Sequence, residues 1–377
     1  MMRILIVTSS YLPKRGGLET VVRELATRMQ QKGHDVVIVS SRFPRTLPAQ
    51  EVIDNIPVKR FQFLDPEWGQ MTAGRMRLWL AGFFFFPYTL VGLFLLIRQF
   101  RPDVVNVHYP HNQTPFVWLL HHLMRFRLVV SLHGGDVDGE PHKSRFRRWR
   151  FEAIVDRAGC VTACSQDLLD QAVALRPSIA PRAHVVHNGV NASLFLNAQP
   201  YAHPRPYVLG VGRLEHHKGF DTLLAAFAQI APDVPMVDLL IAGEGRERER
   251  LQTAASDAGL SQRVHLMGNQ SREQVAALMR GAAIIAIPSR REPFGIVALE
   301  ALAAGRPIIV ADIAGLREAV ADAEVLWVAP DDSADLADGL AEILRTGDRP
   351  TLLETNRSIA ARRSWNAVAD QYLEHLS

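Results

Sequence analysis

Two carboxylates stand eight residues apart in the run Ser289-Arg290-Arg291-Glu292-Pro293-Phe294-Gly295-Ile296-Val297-Ala298-Leu299-Glu300-Ala301-Leu302-Ala303-Ala304-Gly305. An apolar stretch, Ala283 to Ile287, precedes the run and reads as a buried strand. The run itself continues as an Ala/Leu-rich helix that stops at Gly305 before Pro307. Glu300 is the only polar side chain between Ile296 and Ala304. An ionised carboxylate packed on most sides is costly unless a cation or a ligand's hydroxyls meet it. Glu292 sits just before the helix, whose first free N–H groups, near Phe294 to Val297, form an anion site. One carboxylate before an anion site and another two turns inside suit a bent ligand with a diphosphate at its middle and a hydroxylated ring at each end. A nucleotide-sugar has that shape.

A second set of groups points the same way. Gly210-Val211-Gly212-Arg213-Leu214-Glu215-His216-His217-Lys218-Gly219 follows another strand-like run. A dinucleotide fingerprint would continue with a third glycine and a later acid; here Arg213 and Lys218 follow instead. A guanidinium fork and an ammonium point charge at a strand-to-helix turn suit a diphosphate.

With Phe294-Gly295 between them, Glu292 and Glu300 resemble the paired-glutamate signature of retaining GT-B glycosyltransferases of family 4, the glycosyl transferases group 1 type. That family includes many bacterial cell-surface and lipid-linked glycan enzymes. The resemblance implies that Glu292 holds hydroxyls of the donor sugar and Glu300 the ribose, while Arg213 and Lys218 hold the diphosphate. Gly16-Gly17-Leu18-Glu19, after the first strand, is similar to the family's first loop, and places Gly16 and Gly17 against the donor diphosphate or the acceptor. His133, in His133-Gly134-Gly135-Asp136, is placed beside the donor sugar. Asn188-Gly189-Val190-Asn191 resembles the family's Asn-Gly-Val-Asp, with Asn191 departing from it.

Other candidates come from position. Backbone at Gly212, Gly243, Phe294, Gly295 and Ile296 is expected to line the donor site, and the chain should pass the nucleobase near Met267. His108 and Asp136 are candidate acceptor contacts, although Asp136 and Asp138 could equally cap the next helix.

These residues need a scaffold. Strand-like runs at Ile4–Thr8, Asp35–Ser40, Asp103–His108, Leu128–Leu132, Gly159–Ala163 and His184–Val186, then six more from Tyr207 to Val328, alternate with helix-length segments. That pattern predicts an α/β chain with two doubly wound, parallel-sheet domains. At 377 residues the chain suits two ordinary domains. The proline-rich seam Ala198 to Arg205 divides them into an acceptor-binding domain, 1–198, and a donor-binding domain, 199–363. The resemblance implies a GT-B arrangement, two Rossmann-like halves facing across a cleft. The amphipathic helix at 364–377 is expected to return to the first half, with Trp365 as an anchor.

Composition narrows the class. Charged residues at 21% and hydrophobic ones at 48% are globular. Cys160 and Cys164 share one expected strand, about 13 Å apart at the usual rise, so no disulfide forms, and no metal-ligand set is expected in the chain. No signal-peptide pattern opens the chain, and a cytoplasmic protein is expected. Charge is uneven, with 24 Lys/Arg against 15 Asp/Glu through residue 200 and 18 against 24 beyond it. The basic first half suits an anionic partner such as a membrane surface or an acidic acceptor, and Lys14 and Arg15 could meet the latter.

Leu78 to Ile97 carries no charge, but Pro87 interrupts it and a strand follows directly. Two short helices packed on the sheet, with one face open to contact with lipid, are expected there rather than a bilayer span. His142 to Phe151 interleaves basic and aromatic residues as one helix, which reads either as an interfacial helix on anionic lipid or as a solvated surface helix, with no nucleic-acid signature.

The expectation is therefore a metal-independent transferase with no cofactor. It would move a hexose-type sugar, with retention and by a front-face mechanism, from a UDP- or GDP-sugar to a glycan or lipid-linked acceptor in cell-envelope or surface glycan synthesis. No Asp-x-Asp pair stands where a metal would be needed. A nucleotide-sugar epimerase on the same fold and a non-catalytic sugar-nucleotide-binding regulator are the competing readings. The protein would work in the cytoplasm, at most peripheral on the inner face of the cell membrane.

Overall fold

A computed structural model describes residues 1–14, 16–63, 76–347 and 350–376, with the backbone alone for 76–81, 83 and 350–353. Arg15 lies outside the described residues. The chain divides into two units, Met1–His187 with Trp365–Ser377, and Asn188–Ser364.

The first unit is built on β1 (Arg3–Thr8), β2 (Asp35–Ser41), β3 (Gln50–Ile53), β4 (Ile56–Phe61), β5 (Val104–His108), β6 (Arg127–Leu132), β7 (Cys160–Ala163) and β8 (Ala183–Val185). Their spatial order is β3-β4-β2-β1-β5-β6-β7-β8. All neighbours run parallel except β3 and β4. The central strands are continuous Val/Ile/Leu runs because helices cover both faces; Ile4, Leu5 and Ile6 are fully buried. Those helices are α1 (Gly17–Gln31), α2 (Met76–Phe100), α3 (Thr114–Met124), α4 (Glu140–Lys143), α5 (Arg145–Val155) and α6 (Gln166–Leu175).

The second unit places β9 (Tyr207–Val211), β10 (Asp238–Ala242), β11 (Val264–Gly268), β12 (Ile284–Ile287), β13 (Ile308–Ala311) and β14 (Leu326–Val328) in the order β11-β10-β9-β12-β13-β14. Its helices are α7 (Ala192–Leu196), α8 (Phe220–Ile230), α9 (Arg248–Asp257), α10 (Arg272–Gly281), α11 (Ile296–Ala304), α12 (Ala314–Ala319), α13 (Ser333–Thr346) and α14 (Pro350–Arg362). The last helix, α15 (Trp365–Leu376), packs on α1 of the first unit, where Trp365 and Tyr372 are buried.

Both sheets are doubly wound, so each has a point where the strand order reverses: between β1 and β5 in the first and between β9 and β12 in the second. Ligands of such sheets bind outside the carboxyl ends of those strands. The loops picked out from sequence leave β1, β5, β9 and β12 at those ends.

The structure departs from the sequence reading in four places. The hairpin β3–β4 was not foreseen; its turn residues Asp54 and Asn55 both have positive φ, as a two-residue turn between twisted strands requires. Leu78 to Ile97 is one helix with Pro87 inside it, not two. The stretch from His142 splits at Ser144, whose hydroxyl caps α5 by accepting from the Arg147 N–H. The unit boundary falls at His187/Asn188 rather than after Ala198, because α7 packs on α10 and α11 and Val190 bridges to Ser364.

Candidate active site

In the second unit, the loops after β9 and β12 are tied together. The N–H groups of Arg290 and Arg291 donate to the His217 carbonyl at 2.9 and 3.3 Å. Gly219 is left-handed (φ 69), and a Cβ there would lie 2.0 Å from the Pro288 carbonyl oxygen, so only glycine lets these backbones meet. Arg290 locks the join: its guanidinium spans both Asp221 oxygens (2.8 and 3.0 Å) and also reaches the His216 carbonyl. Sequence reasoning did not single out Arg290, since its partners lie 69 and 74 residues away.

That join brings three candidates together. The Lys218 ammonium pairs with the Glu292 carboxylate, both largely buried. Arg213 extends into solvent from the same loop. His217, between them, is driven down to about 4, first by burial and then by the positive charge of Lys218 and Arg213. The two cations add to the effect of burial there, and a diphosphate at this loop would meet them.

Behind this group α11 starts at Gly295 (φ 91) with no side-chain cap, leaving its first N–H groups for an anion. A Cβ on Gly295 would strike Leu316 at 2.6 Å and Glu292 at 3.3 Å. Phe294 is 1% exposed, so its ring is core and only its backbone could face a ligand. Ile296 opens α11 and is half-buried.

Glu300 faces Arg272 of α10, its oxygen 3.5 Å from the guanidinium, so the domain itself supplies a cation. Gly212 and Gly243 also have an internal reason: a Cβ on Gly243 would lie 1.8 Å from the Gly212 carbonyl oxygen. At Met267 the carbonyl accepts from the Gln270 side chain at 2.6 Å, which occupies one of the backbone groups expected to read a base.

The first unit's site is of another kind. His108, at the end of β5, is fully buried and so is removed from the surface where an acceptor contact was expected. It lies instead in a chain of hydrogen bonds. Thr162 Oγ1 donates to Ser131 Oγ (2.9 Å), which donates to Asn106 Oδ1 (3.0 Å). With its oxygen so engaged, Asn106 presents Nδ2 to His108 Nε2 at 2.9 Å, and an amide nitrogen can only donate. His108 therefore carries its proton on Nδ1 and gives it to His133 Nε2, 2.9 Å away. It follows that neutral His133 carries its proton on Nδ1, outside the chain. Burial drives His133 down to about 4, which keeps it neutral. Asn106 is a further residue that sequence reasoning missed; a polar side chain inside an apolar strand was the signal.

Asp136 does not face an acceptor either. It is 1% exposed, and its oxygens accept from the His133 and Gly134 N–H groups at 2.7 to 3.1 Å. Burial raises it to about 7 against the pull of those bonds. Its role here is to brace the turn that carries His133. Gly16 is extended and precedes α1, which has no side-chain cap, and nothing lies near a Cβ on Gly17. Glu19 turns back to accept from Ser10.

The fold also makes two clusters that spacing did not announce. Cys160, His184 and His375 converge, as do His203, Asp238 and His265, each set with its ligand atoms within 4.8 Å. Asp238 is already engaged by His203 at 2.8 Å and Arg205 at 3.4 Å.

Two switch-point sites, one cationic around a helix N-terminus and one built on a neutral histidine, are what a group-transfer enzyme of the two-domain α/β class presents. Family models agree: residues 15–194 match Glycosyltransferase Family 4 and residues 196–360 match Glycosyl transferases group 1. Glycogen synthase of Mycobacterium tuberculosis is 30% identical over 98% of this chain and 92% of its own length. A D-inositol 3-phosphate glycosyltransferase of Corynebacterium efficiens is 30% identical over 94% of this chain and 89% of its own. The fold is shared with sucrose-phosphate synthase of Thermosynechococcus elongatus (TM-score 0.78, 24% identity, 99% and 98% of the two chains). It is shared also with Anabaena HepE in complex with UDP-glucose (0.77, 21%, 100% and 99%). The chain belongs to the family 4, group 1 glycosyltransferases of GT-B fold.

Proposed function

We propose that the protein transfers a hexose-type sugar from a nucleoside diphosphate donor, UDP- or GDP-linked, with retention of configuration. The observation that carries this is the pairing of Lys218 with Glu292 beside the uncapped start of α11, at the switch point between β9 and β12, with Arg213 on the same loop and near enough to act on His217. One protein of similar fold, Anabaena HepE, was solved in complex with UDP-glucose, which supports a donor of this class.

The chemical problem is negative charge gathering on the leaving diphosphate as the sugar becomes oxocarbenium-like. Lys218, Arg213 and the N–H groups of α11 answer that charge in the transition state. In the absence of donor the Lys218 ammonium rests on Glu292. When the diphosphate takes the ammonium, Glu292 is released to hold sugar hydroxyls. Glu300 turns from Arg272 to the ribose in the same way. The acceptor belongs to the first unit, and from that unit His133 offers its Nδ1–H to a hydroxyl of the donor sugar. The leaving phosphate takes the acceptor's proton in a front-face reaction, and no resident metal or cofactor is assigned. Two relatives of equal identity are named for different products, glycogen and a glycosylated inositol phosphate, so the acceptor is left at its class, a glycan or a lipid-linked sugar.

Labelled UDP- and GDP-sugars incubated with the protein, with and without a membrane extract, test the reading. Transfer of label to an extract component, with the anomeric configuration kept, is expected. Conversion without any acceptor would indicate an epimerase, and binding without turnover a regulator; either outcome overturns the proposal.

A further inference from the structure

Helix α2 is apolar on every side, yet only half of it is covered. On its inner face Thr89 donates to the Gln62 carbonyl at 3.0 Å, Leu93 and Ile97 are 1% and 5% exposed, and the Phe86 ring stacks on Phe116 of α3 with centroids 4.4 Å apart. On the outer face Phe84, Tyr88, Val91 and Leu95 are 77%, 77%, 56% and 56% exposed. Their spacing of four, three and four residues makes one continuous stripe along the helix, about 17 Å long at the usual rise. Large aromatic and aliphatic groups in such an array are not left to water without cause.

Charge selects what covers the stripe. From Trp68 to Pro102 the sequence has no Asp or Glu and four arginines, Arg75 and Arg77 ahead of the apolar run and Arg98 and Arg101 after it. Arg98 continues the stripe by one more turn and is exposed. A second copy laid antiparallel on the stripe would bring Arg98 of one helix toward Arg77 of the other, and the helix itself carries no acid to answer them, so this face disfavours itself. A surface that is apolar within and anionic at its margin matches it instead: a bilayer containing acidic phospholipid, where the ring edges and aliphatic groups enter the headgroup boundary and the arginines meet phosphate. The stripe is too short to cross a bilayer core, and no helix among the described residues is long and apolar enough to do so.

We propose that the outer face of α2 is a monotopic docking surface that lays the first unit on an anionic membrane. This inference is independent of the donor and of the sugar transferred.

Sedimentation of the full-length protein with vesicles tests it without any substrate. Binding to vesicles of equimolar phosphatidylglycerol and phosphatidylcholine is expected to exceed binding to phosphatidylcholine alone by roughly tenfold and to weaken with added salt. The double variant Phe84→Ser, Tyr88→Ser should lose about tenfold in binding to the anionic vesicles, with its melting temperature unchanged because both side chains are already exposed. Arg98→Gln should lose about fivefold on anionic vesicles and little on neutral ones. Equal binding by wild type and the double variant would overturn the proposal. So would sedimentation velocity showing a wild-type dimer that the double variant converts to monomer with vesicle binding absent, which would assign the stripe to a second copy.

Discussion

The two switch points of this chain use one topology for opposite electrostatics. In the second unit the reversal between β9 and β12 holds charged groups, Arg213 and Lys218 with Glu292, beside a His217 that burial first, and then the two cations, hold neutral. In the first, the reversal between β1 and β5 leads to a relay of neutral donors and acceptors, Thr162 through Ser131, Asn106 and His108 to His133. Charge placed near a leaving diphosphate works on its full Coulomb energy. A neutral relay fixes the direction of one proton without adding charge to the acceptor side. The difference between the two sites lies in side-chain type, not in the fold.

The contrast can be broken most severely at the charged site. Lys218→Ala and Arg213→Ala should each lower kcat/KM by about 10²–10³, the scale of a lost oxyanion-type donor. Donor affinity measured by calorimetry should fall with the rate, and unchanged kinetics in both variants would remove the diphosphate assignment.

At the neutral site the informative change keeps shape and reverses polarity. In Asn106→Asp a carboxylate faces His108 Nε2, which must then carry the proton; His108 Nδ1 becomes an acceptor and His133 must donate from Nε2. The outward Nδ1 of His133 is left bare. We expect kcat to drop by about 10²-fold. Imidazole nitrogen shifts should report the exchanged tautomers; a lower rate with the original tautomer would mean a merely structural effect.

The smallest effect concerns pH. His133 lies at about 4 in the folded protein, below the ordinary 6.5 that it regains on unfolding. As pH falls through that window the unfolded chain binds a proton that the folded chain refuses, so stability declines on acidification and levels off below about 4. Asp136, raised to about 7, acts in the opposite sense over the same range, so the readout is a difference: melting temperature should fall less, or rise more, between pH 7 and pH 4 in His133→Asn than in the wild type. An identical slope in the variant would place the titration elsewhere.

Much of this was legible in the residues. Runs such as Ile4 to Val7 and Ile284 to Ile287 are continuous and apolar because both sheet faces are covered, so twelve strands and the doubly wound class could be read directly. The β3–β4 hairpin escaped although Asp54-Asn55 is a two-residue turn signal, because β3 is an edge strand of only four residues, Gln50–Ile53, half of them polar. At α2, Pro87 argued for a break that the helix does not make; on either side of it Phe86 stacks on Phe116 and Gly92 lies against Phe61.

What the sequence alone determined was which groups exist and which strand each one follows: Arg213 and Lys218 after β9, Glu292 after β12, His133 after β6. Local pattern suffices for that because strand ends and helix starts depend on neighbours a few residues away. Only the tertiary structure decided which groups meet, since Lys218 and Glu292 are 74 residues apart, and how each is committed: Phe294 to the core, Asp136 to its own turn, Glu300 to Arg272. Hydrogen-bond direction and burial are properties of a packed neighbourhood, and no spacing along a chain contains them.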